Sequence, residues 1–222
     1  MFRSIAFGGQ GLLDLLDPPL RAWLAEQGVR RSYADGEMIH RRGDSEPAMG
    51  VVITGVVRLT RLHANGTQTF VSSLQPGHHY GDVLFHSRAR RTHDAWAVGA
   101  VQIDHYDLAA YQTLLERREV LLALHRVTAA RLAGSISMAD DLRGLSREAH
   151  LAKVLLSIRT NRDGSIDCLQ EDLAALLGIS VMTLAKALAV LRGQGLIETR
   201  YRGLRIVDRR RLRAWLSTQS PE

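Results

Sequence analysis

Gln170-Glu171-Asp172-Leu173-Ala174-Ala175-Leu176-Leu177-Gly178-Ile179-Ser180-Val181-Met182-Thr183-Leu184-Ala185-Lys186-Ala187-Leu188-Ala189-Val190-Leu191 reads as two short helices around a tight turn. Leu173, Leu176 and Leu177 lay an apolar stripe on the first helix. Leu184, Leu188 and Leu191 lay another on the second, at helical spacing. Gly178 supplies the sharp turn, and Ser180 is placed to cap the second helix by accepting an exposed backbone N–H. This is helix-turn-helix grammar, in which the second helix enters the major groove of DNA. A helical hairpin in an ordinary core would share much of the pattern. The residues after the second helix separate the two. Leu196-Ile197-Glu198-Thr199 and Leu204-Arg205-Ile206-Val207 read as strands joined by the basic turn Arg200-Tyr201-Arg202-Gly203. A hairpin directly after a recognition helix makes a winged helix, so double-stranded DNA is the expected partner.

Charge obeys the same division. The chain of 222 residues carries a formal net charge of +6. From residue 145 onward there are 13 Lys and Arg against 8 Asp and Glu; the first 144 residues hold 16 against 15. The excess positive charge therefore lies with the helix-turn-helix, where phosphates would need it. Cys168 is the only cysteine, which excludes an intramolecular disulfide, a Cys-rich zinc site and an all-Cys iron–sulfur cluster within one chain. Residues 1–10 lack an apolar run of signal-peptide length, and no run is long enough to span a bilayer. A soluble, cytoplasmic protein without a membrane partner is the expectation.

Residues 11–30 read as a short amphipathic helix pair around Pro18-Pro19. Residues 33–104 change period. Glycines at 36, 43, 50, 55, 66, 77 and 81 punctuate short β-type runs: Met38-Ile39-His40, Val51-Val52-Ile53, Val56 to Thr60, Thr69-Phe70-Val71 and Val101-Gln102-Ile103. Many short strands with regular turns mean a sandwich or barrel-like β-domain. From Asp107 to Arg143 the pattern turns helical. A helix of about 30 residues would run about 45 Å, more than one small β-domain covers. Leu114, Leu121, Thr128, Leu132, Ala139 and Leu142 fall near one another on it, and a second copy of the chain is expected to cover them. Gly144-Leu145-Ser146 reads as a hinge, with Ser146 capping a helix to about Arg159.

This order, together with Gly36-Glu37, Gly43-Asp44, Gly55 before a Val-rich strand, Pro76-Gly77, Tyr80-Gly81-Asp82, Ala95-Trp96 and Gly178-Ile179-Ser180, resembles the Crp/Fnr superfamily of bacterial transcription regulators over nearly the whole chain. From Arg131-Leu132 to Leu155-Leu156 the spacing matches cAMP-binding members without a gap. The resemblance implies an α+β fold: an N-terminal antiparallel, cyclic-nucleotide-binding-like β-roll (1–106), a long dimerisation helix and hinge (107–144), and a C-terminal winged helix-turn-helix (145–222). It implies a homodimer in which effector state in the β-roll is coupled through the long helix to the DNA-binding domains, with RNA polymerase as a further partner.

The departures concern the effector. Cyclic-nucleotide members offer Gly-Glu, then Arg-Ser immediately before the Ala-Trp position. Here Gly81-Asp82 and His93-Asp94 stand in their places. A carboxylate facing a phosphodiester repels it, and a neutral His does not replace a bidentate guanidinium. Arg91, two residues earlier on the expected strand face, compensates only in part. On the long helix the adenine-reading polar pair becomes Ser135-Ile136. The expected effector pocket is thus Gly81, Asp82, Arg91, His93, Asp94, Ser135 and Ile136, with cAMP disfavoured and the effector unknown. His78, His79, His86 and His93 keep a haem- or metal-dependent sensor open as the alternative, though no haem motif is present. A cupin-like metal enzyme is a remote second: adjacent His78-His79 point to opposite strand faces and no Glu comes soon after them. No catalytic or metal-ligating set is expected.

The recognition helix departs too. Val181-Met182 replace the familiar Arg-Glu pair and Lys186 the following Arg. Val181 and Met182 suit thymine methyl groups, and Lys186 suits a guanine edge or a phosphate. Ser180 and Thr183 resemble phosphate contacts. Gln170 stands where a basic phosphate contact is common and Leu169 where a capping Thr usually sits. Arg200 and Arg202 in the wing would restore part of that clamp.

Overall fold

The computed structural model describes residues 9–46, 48–62, 68–87, 90–201 and 203–219; the side chains of Gln68 and Leu142 are also outside the described set. The elements are α1 (Pro18–Gln27), β1 (Val29–Tyr33), β2 (Met38–His40), β3 (Met49–Leu62), β4 (Gln68–Leu74), β5 (His79–Tyr80), α2 (Val83–His86), β6 (Asp94–Tyr106), α3 (Leu108–Leu115), α4 (Arg118–Gly144), α5 (Arg147–Ser157), β7 (Ser165–Asp167), α6 (Gln170–Leu177), α7 (Val181–Gly193), β8 (Ile197–Arg200), β9 (Gly203–Ile206) and α8 (Arg209–Ser217). The chain divides into two compact units, Gly9–Leu132 and Ala133–Glu222, with the division inside α4.

The first unit is an antiparallel β-roll. Its strands run β1-β6-β3-β4, with β2 also on β6 and β5 also on β3. The expected runs Val51–Ile53 and Val56–Thr60 belong to one 14-residue strand, β3. Side-chain alternation along it separates two cores. Met49 and Val51 pack toward the helices with Leu12, Leu24, Tyr106, Tyr111 and Leu114. Val52 turns inward with Tyr80, Ala95, Ala97, Val101 and Ile103. Register shifts between Val52 and Val56 let Val57 join the inner core despite its odd number. Arg30 on β1 donates two hydrogen bonds, 2.7 and 2.8 Å, to the buried Asp104 carboxylate on β6.

The expected helix from Asp107 to Arg143 is two helices. Asp107 caps α3, its carboxylate accepting from Ala110 N at 2.8 Å. Helical structure stops at Glu116-Arg117 and restarts at Arg118. The break changes one assignment. Leu114 lies on α3 with 0% exposure, inside the protomer's own core, so it is not an interface residue. On α4 the residues at Val120, Ala123, Leu124 and Val127 are buried. Leu121, Thr128, Leu132 and Ala139 are exposed, along with Leu122, Ile136 and Met138. Leu142 lies on α4, but its side chain is outside the described residues.

The second unit packs α5, α6, α7 and α8 with the sheet β7-β9-β8. Ser146 caps α5 as expected, accepting from Ala149 N at 3.1 Å. Arg209 of α8 donates to the Ile158 and Leu156 carbonyls at the end of α5. Burial pushes the Cys168 thiol up to about 11, so it is protonated and unreactive at neutral pH. Among the described residues no single helix is long and apolar enough to cross a membrane. The one bent pair that passes by length and composition is α6 with α7, which meet at 97°.

Candidate nucleic-acid interface and effector cleft

α6 ends on Gly178, whose φ of +65° lies in the left-handed region that favours glycine. The Gly178 and Ile179 N–H groups return to the Ala175 and Ala174 carbonyls, closing the last turn. The chain is then free to start α7 almost at right angles. Ser180 caps it, its Oγ accepting from Thr183 N at 3.1 Å and lying 2.9 Å from Thr183 Oγ1. Leu184, Ala187, Leu188 and Leu191 are the buried face. Val181, Met182, Ala185, Lys186 and Ala189 form the exposed face opposite, with Met182 70% exposed.

Four sequence-selected residues therefore sit together at the start of α7: Ser180, Val181, Met182 and Thr183, with Lys186 one turn on. Ala185 and Ala189 were not singled out from sequence. Their methyl groups keep this face low, which allows close approach of a groove edge. Gln170 is exposed in the first turn of α6, and Leu169 makes no side-chain cap there. In the wing, Tyr201 projects at the tip between β8 and β9. The Arg200 guanidinium lies 3.2 Å from the Asp163 carboxylate; both side chains are about half exposed, so the pair is weak and exchangeable. Arg202 lies outside the described residues. β7, which sequence pattern alone does not mark, pairs with β9 and widens the wing to three strands.

The β-roll holds a cleft lined by His40, Leu59, Tyr80, Gly81, Val83, Leu84, Arg90, Arg91, Thr92 and His93. Three of the expected pocket residues, Gly81, Arg91 and His93, line it. Asp82 and Asp94 do not. The buried Asp82 carboxylate turns to His79 Nε2 at 3.5 Å, and the Asp94 carboxylate accepts from Arg42 N at 2.8 Å. The carboxylates expected to repel an anion are thus withdrawn from the cleft. Arg91 is in the loop before β6 rather than on a strand face. Ser135 and Ile136 are on the exposed part of α4, in the second unit.

The four histidines of this region disperse. His79 is buried beside Asp82, His86 bonds the Tyr111 hydroxyl at 2.9 Å, His78 lies 3.4 Å from the Gly9 carbonyl, and His93 borders the cleft. Among the described residues no three His, Cys, Asp or Glu side chains converge to hold a metal ion. Arg131 of α4 donates to the His79 carbonyl at 2.6 Å, tying the long helix to β5. His79 and Tyr80 are consecutive in that strand, so one faces the helix tie while the other faces the cleft.

Burial lowers His40 and His105 to about 4, with Arg91 adding to the effect on His40 and Arg31 on His105. Both are neutral in the fold near pH 7. Between about 6.5 and 4 the unfolded chain takes up protons that the fold excludes, so stability falls as pH falls through that window. The two together should remove on the order of a few kcal/mol from the first unit. Urea midpoints at pH 7.5 and pH 4.5 check this: a His40→Asn, His105→Asn double variant should show a smaller drop than the native chain.

The comparisons with known proteins agree with this geometry. Residues 30–118 match the model of the cyclic nucleotide-binding domain, and residues 149–215 that of the Crp-like helix-turn-helix domain. The cyclic AMP receptor protein of Thermus thermophilus is 31% identical over 173 residues, covering 76% of this chain and 79% of that one. The CRP-like cAMP-activated global transcriptional regulator of Mycobacterium tuberculosis is 26% identical over 211 residues, 91% and 94% of the two chains. Among solved structures, a CooA mutant from Carboxydothermus hydrogenoformans shares the fold at a TM-score of 0.75 and 17% identity, over 95% of this chain and 97% of that one. A nucleotide-type β-roll and a winged helix-turn-helix, in that order and with a relative this similar over three quarters of the chain, place the protein among transcription regulators rather than enzymes: it belongs to the Crp/Fnr family.

Proposed function

We propose that the protein is a homodimeric, sequence-specific regulator whose effector state, set in the β-roll (1–106), acts through the helix and hinge (107–144) on the winged helix-turn-helix (145–222). The observation that carries the DNA reading is the exposed face of α7, where Val181, Met182 and Lys186 stand clear of the buried leucines. Val181 and Met182 donate no hydrogen bonds, so they read thymine methyl groups rather than guanine or cytosine edges. Ser180, Thr183 and Gln170 hold phosphates and fix register, and Arg200 and Arg202 add phosphate contacts. The operator therefore differs from one read by an Arg-Glu pair. RNA polymerase is the further partner, and the cytoplasm the place of action.

Two relatives are described as responsive to cyclic AMP. In this chain His93-Asp94 stand where cyclic-nucleotide members carry Arg-Ser, and the Asp82 carboxylate turns to His79 rather than into the cleft, so cAMP is not the effector we assign. Dimerisation rests on the exposed Leu121, Thr128, Leu132 and Ala139 of α4, which a second copy would cover.

Selection of genomic fragments by the purified chain, with no ligand added, tests the reading. An enriched inverted repeat with half-sites one helical turn apart is the expected result. Thymines opposite the start of α7 would support the Val181-Met182 assignment; a folded dimer that enriches nothing would overturn unliganded binding. Lys186→Ala should weaken the selected site by roughly 10- to 100-fold while leaving random DNA much less affected, because a base contact carries about 1–3 kcal/mol of discrimination. Equal losses on both would reduce Lys186 to a phosphate contact.

A further inference from the structure

Arginines crowd one end of the second unit. Arg159 and Arg162 lie in the loop between α5 and β7, and Arg210, Arg211 and Arg213 lie on α8. All five are exposed. Among the described residues none of these five side chains has a hydrogen bond or an ion pair. Arg209 brings the two segments together. It donates to the Leu156 and Ile158 carbonyls, which sets the start of α8 against the end of α5. Asp163 and Asp208 are the carboxylates of residues 159–164 and 207–219, and both are already engaged. Asp163 accepts from Ser165 N at 3.0 Å and faces Arg200, while Asp208 caps α8 and accepts from Arg210 N at 2.7 Å.

The helix itself gains nothing from this arrangement. Four of the first five residues of α8 are arginines, at the end where the macrodipole disfavours positive charge. Arg209 is held by the α5 carbonyls and Leu212 by the core; among the described residues nothing holds Arg210, Arg211 or Arg213. Arg210 and Arg213 are three apart and share a helix face. The exposed residues beyond them, Ala214, Ser217 and Thr218, are small. Val207 is the one exposed large apolar side chain among the described residues of these two segments. A protein partner would need an aromatic or aliphatic anchor, whereas a phosphate backbone needs cations. The patch is also continuous with the wing. Arg200 lies 3.2 Å from Asp163, the neighbour of Arg162, and Ile206 N donates to the Gly164 carbonyl at 3.1 Å.

We propose that Arg159, Arg162, Arg210, Arg211 and Arg213 take phosphates of duplex DNA outside the half-site, beyond the bases that α7 reads. The inference rests on the reading of the second unit as a DNA-binding domain and adds a second contact surface to it. Guanidinium forks pair with phosphate oxygens through two parallel N–H donors, and nothing else among the described residues competes for these five. Phosphate contacts carry no sequence information, so the length of the flanking duplex matters and its sequence does not. Each phosphate neutralised releases counterions, so the contact is visible in the salt dependence of binding. In the proposed dimer the patch occurs twice, once for each half-site.

The test compares two duplexes that carry the same selected inverted repeat, each titrated with the full chain over a salt series. One duplex stops at the half-site edges; the other carries about 20 further base pairs, two helical turns, of unrelated sequence on each side. The native chain should bind the long duplex roughly tenfold or more tightly than the short one. A triple variant, Arg210→Gln with Arg211→Gln and Arg213→Gln, should lose roughly 10- to 100-fold on the long duplex and less than about twofold on the short one. Its slope of log affinity against log salt on the long duplex should fall by roughly 2 to 5. Arg159→Gln with Arg162→Gln should show the same pattern. The triple variant should melt no lower than the native chain, because the charges it loses oppose the helix dipole. The proposal is overturned if the native chain ignores flank length, if the triple variant loses equally on both duplexes, or if its salt slope is unchanged. A triple variant that binds both duplexes as the native chain does also overturns it and leaves the patch to an acidic protein. Fragment selection keeps the two readings apart. A chain that enriches an inverted repeat yet ignores flank length remains a regulator whose DNA contacts end at the wing, and a chain that binds no DNA overturns both.

Discussion

Leu184→Ala is expected to lower the stability of the second unit by about 2–5 kcal/mol and to abolish DNA binding without touching a DNA-facing side chain. Leu184 has 0% exposure and is the first buried residue of α7. α7 packs against α5, α6 and β8, so this side chain sits where the helix-turn-helix is joined to its supports. Truncation leaves a cavity that the surrounding core closes only in part, which puts the cost above the transfer term alone. Against a total of about 5–15 kcal/mol for a domain, such a loss is a large fraction. Hydrogen exchange resolved by residue should show the amides of α6 and α7 losing protection while those of β3 and β6 keep it. Met182→Ala is the control on the same helix: at 70% exposure it should shift stability by no more than about 0.5 kcal/mol. If Leu184→Ala unfolds no more readily than Met182→Ala, the buried face of α7 is wrongly assigned.

The same helix shows why the sequence was readable there. Leucine spacing, Gly178 and Ser180 all point to one answer, and each acts locally, so α6, α7 and the cap appear where they were expected. Elements specified by tertiary context were not legible. β1, Val-Arg-Arg-Ser-Tyr, is an almost wholly exposed edge strand with no apolar alternation; it is a strand because β6 pairs with it and Asp104 takes Arg30. β7 has three residues and exists through its pairing with β9. α8 begins Arg209-Arg210-Arg211, which reads as a solvated charge run until Asp208 is seen capping it and Leu212 buried beneath it.

The break between α3 and α4 carries no Pro or Gly. Glu116 and Arg117 would sit comfortably in a helix by propensity. Packing decides otherwise: Leu114 must enter the core with Tyr111, and Val120, Ala123 and Leu124 must enter the same core from a new direction. The cleft shows the complementary error. Position along the chain placed Asp82 and Asp94 in the effector pocket, but a carboxylate goes where its partners are. His79 draws one and the Arg42 N–H the other. Their withdrawal leaves Arg90 and Arg91 as the charged side chains that line the cleft among the described residues. No sequence signal marks the Arg42 amide as an acceptor's target, since the pairing spans 52 residues.

Leu132→Glu should dissociate the proposed dimer. Leu132 is 61% exposed on α4, with Thr128 and Ile136 one turn to either side and Leu121 and Ala139 continuing the stripe. The protomer's own packing uses Val120, Ala123, Leu124 and Val127 and leaves these residues uncovered. A second copy related by a two-fold axis would cover them at a coiled-coil-like seam, with each residue of the stripe near the same stripe on its partner. A carboxylate at position 132 then enters twice, unpaired and close to its own copy. Two such groups cost on the order of 4 kcal/mol or more, roughly a thousandfold in the dimer dissociation constant. The folded protomer should be unaffected, because position 132 already faces solvent. Sedimentation equilibrium across a concentration series checks the first expectation, and thermal melting monitored by circular dichroism of the monomeric fraction checks the second. Operator affinity should collapse to that of a single half-site, since the second half-site contact is lost with the linkage between them. A Leu132→Glu chain that remains dimeric at the concentrations where the native chain does would move the proposed seam off this face of α4.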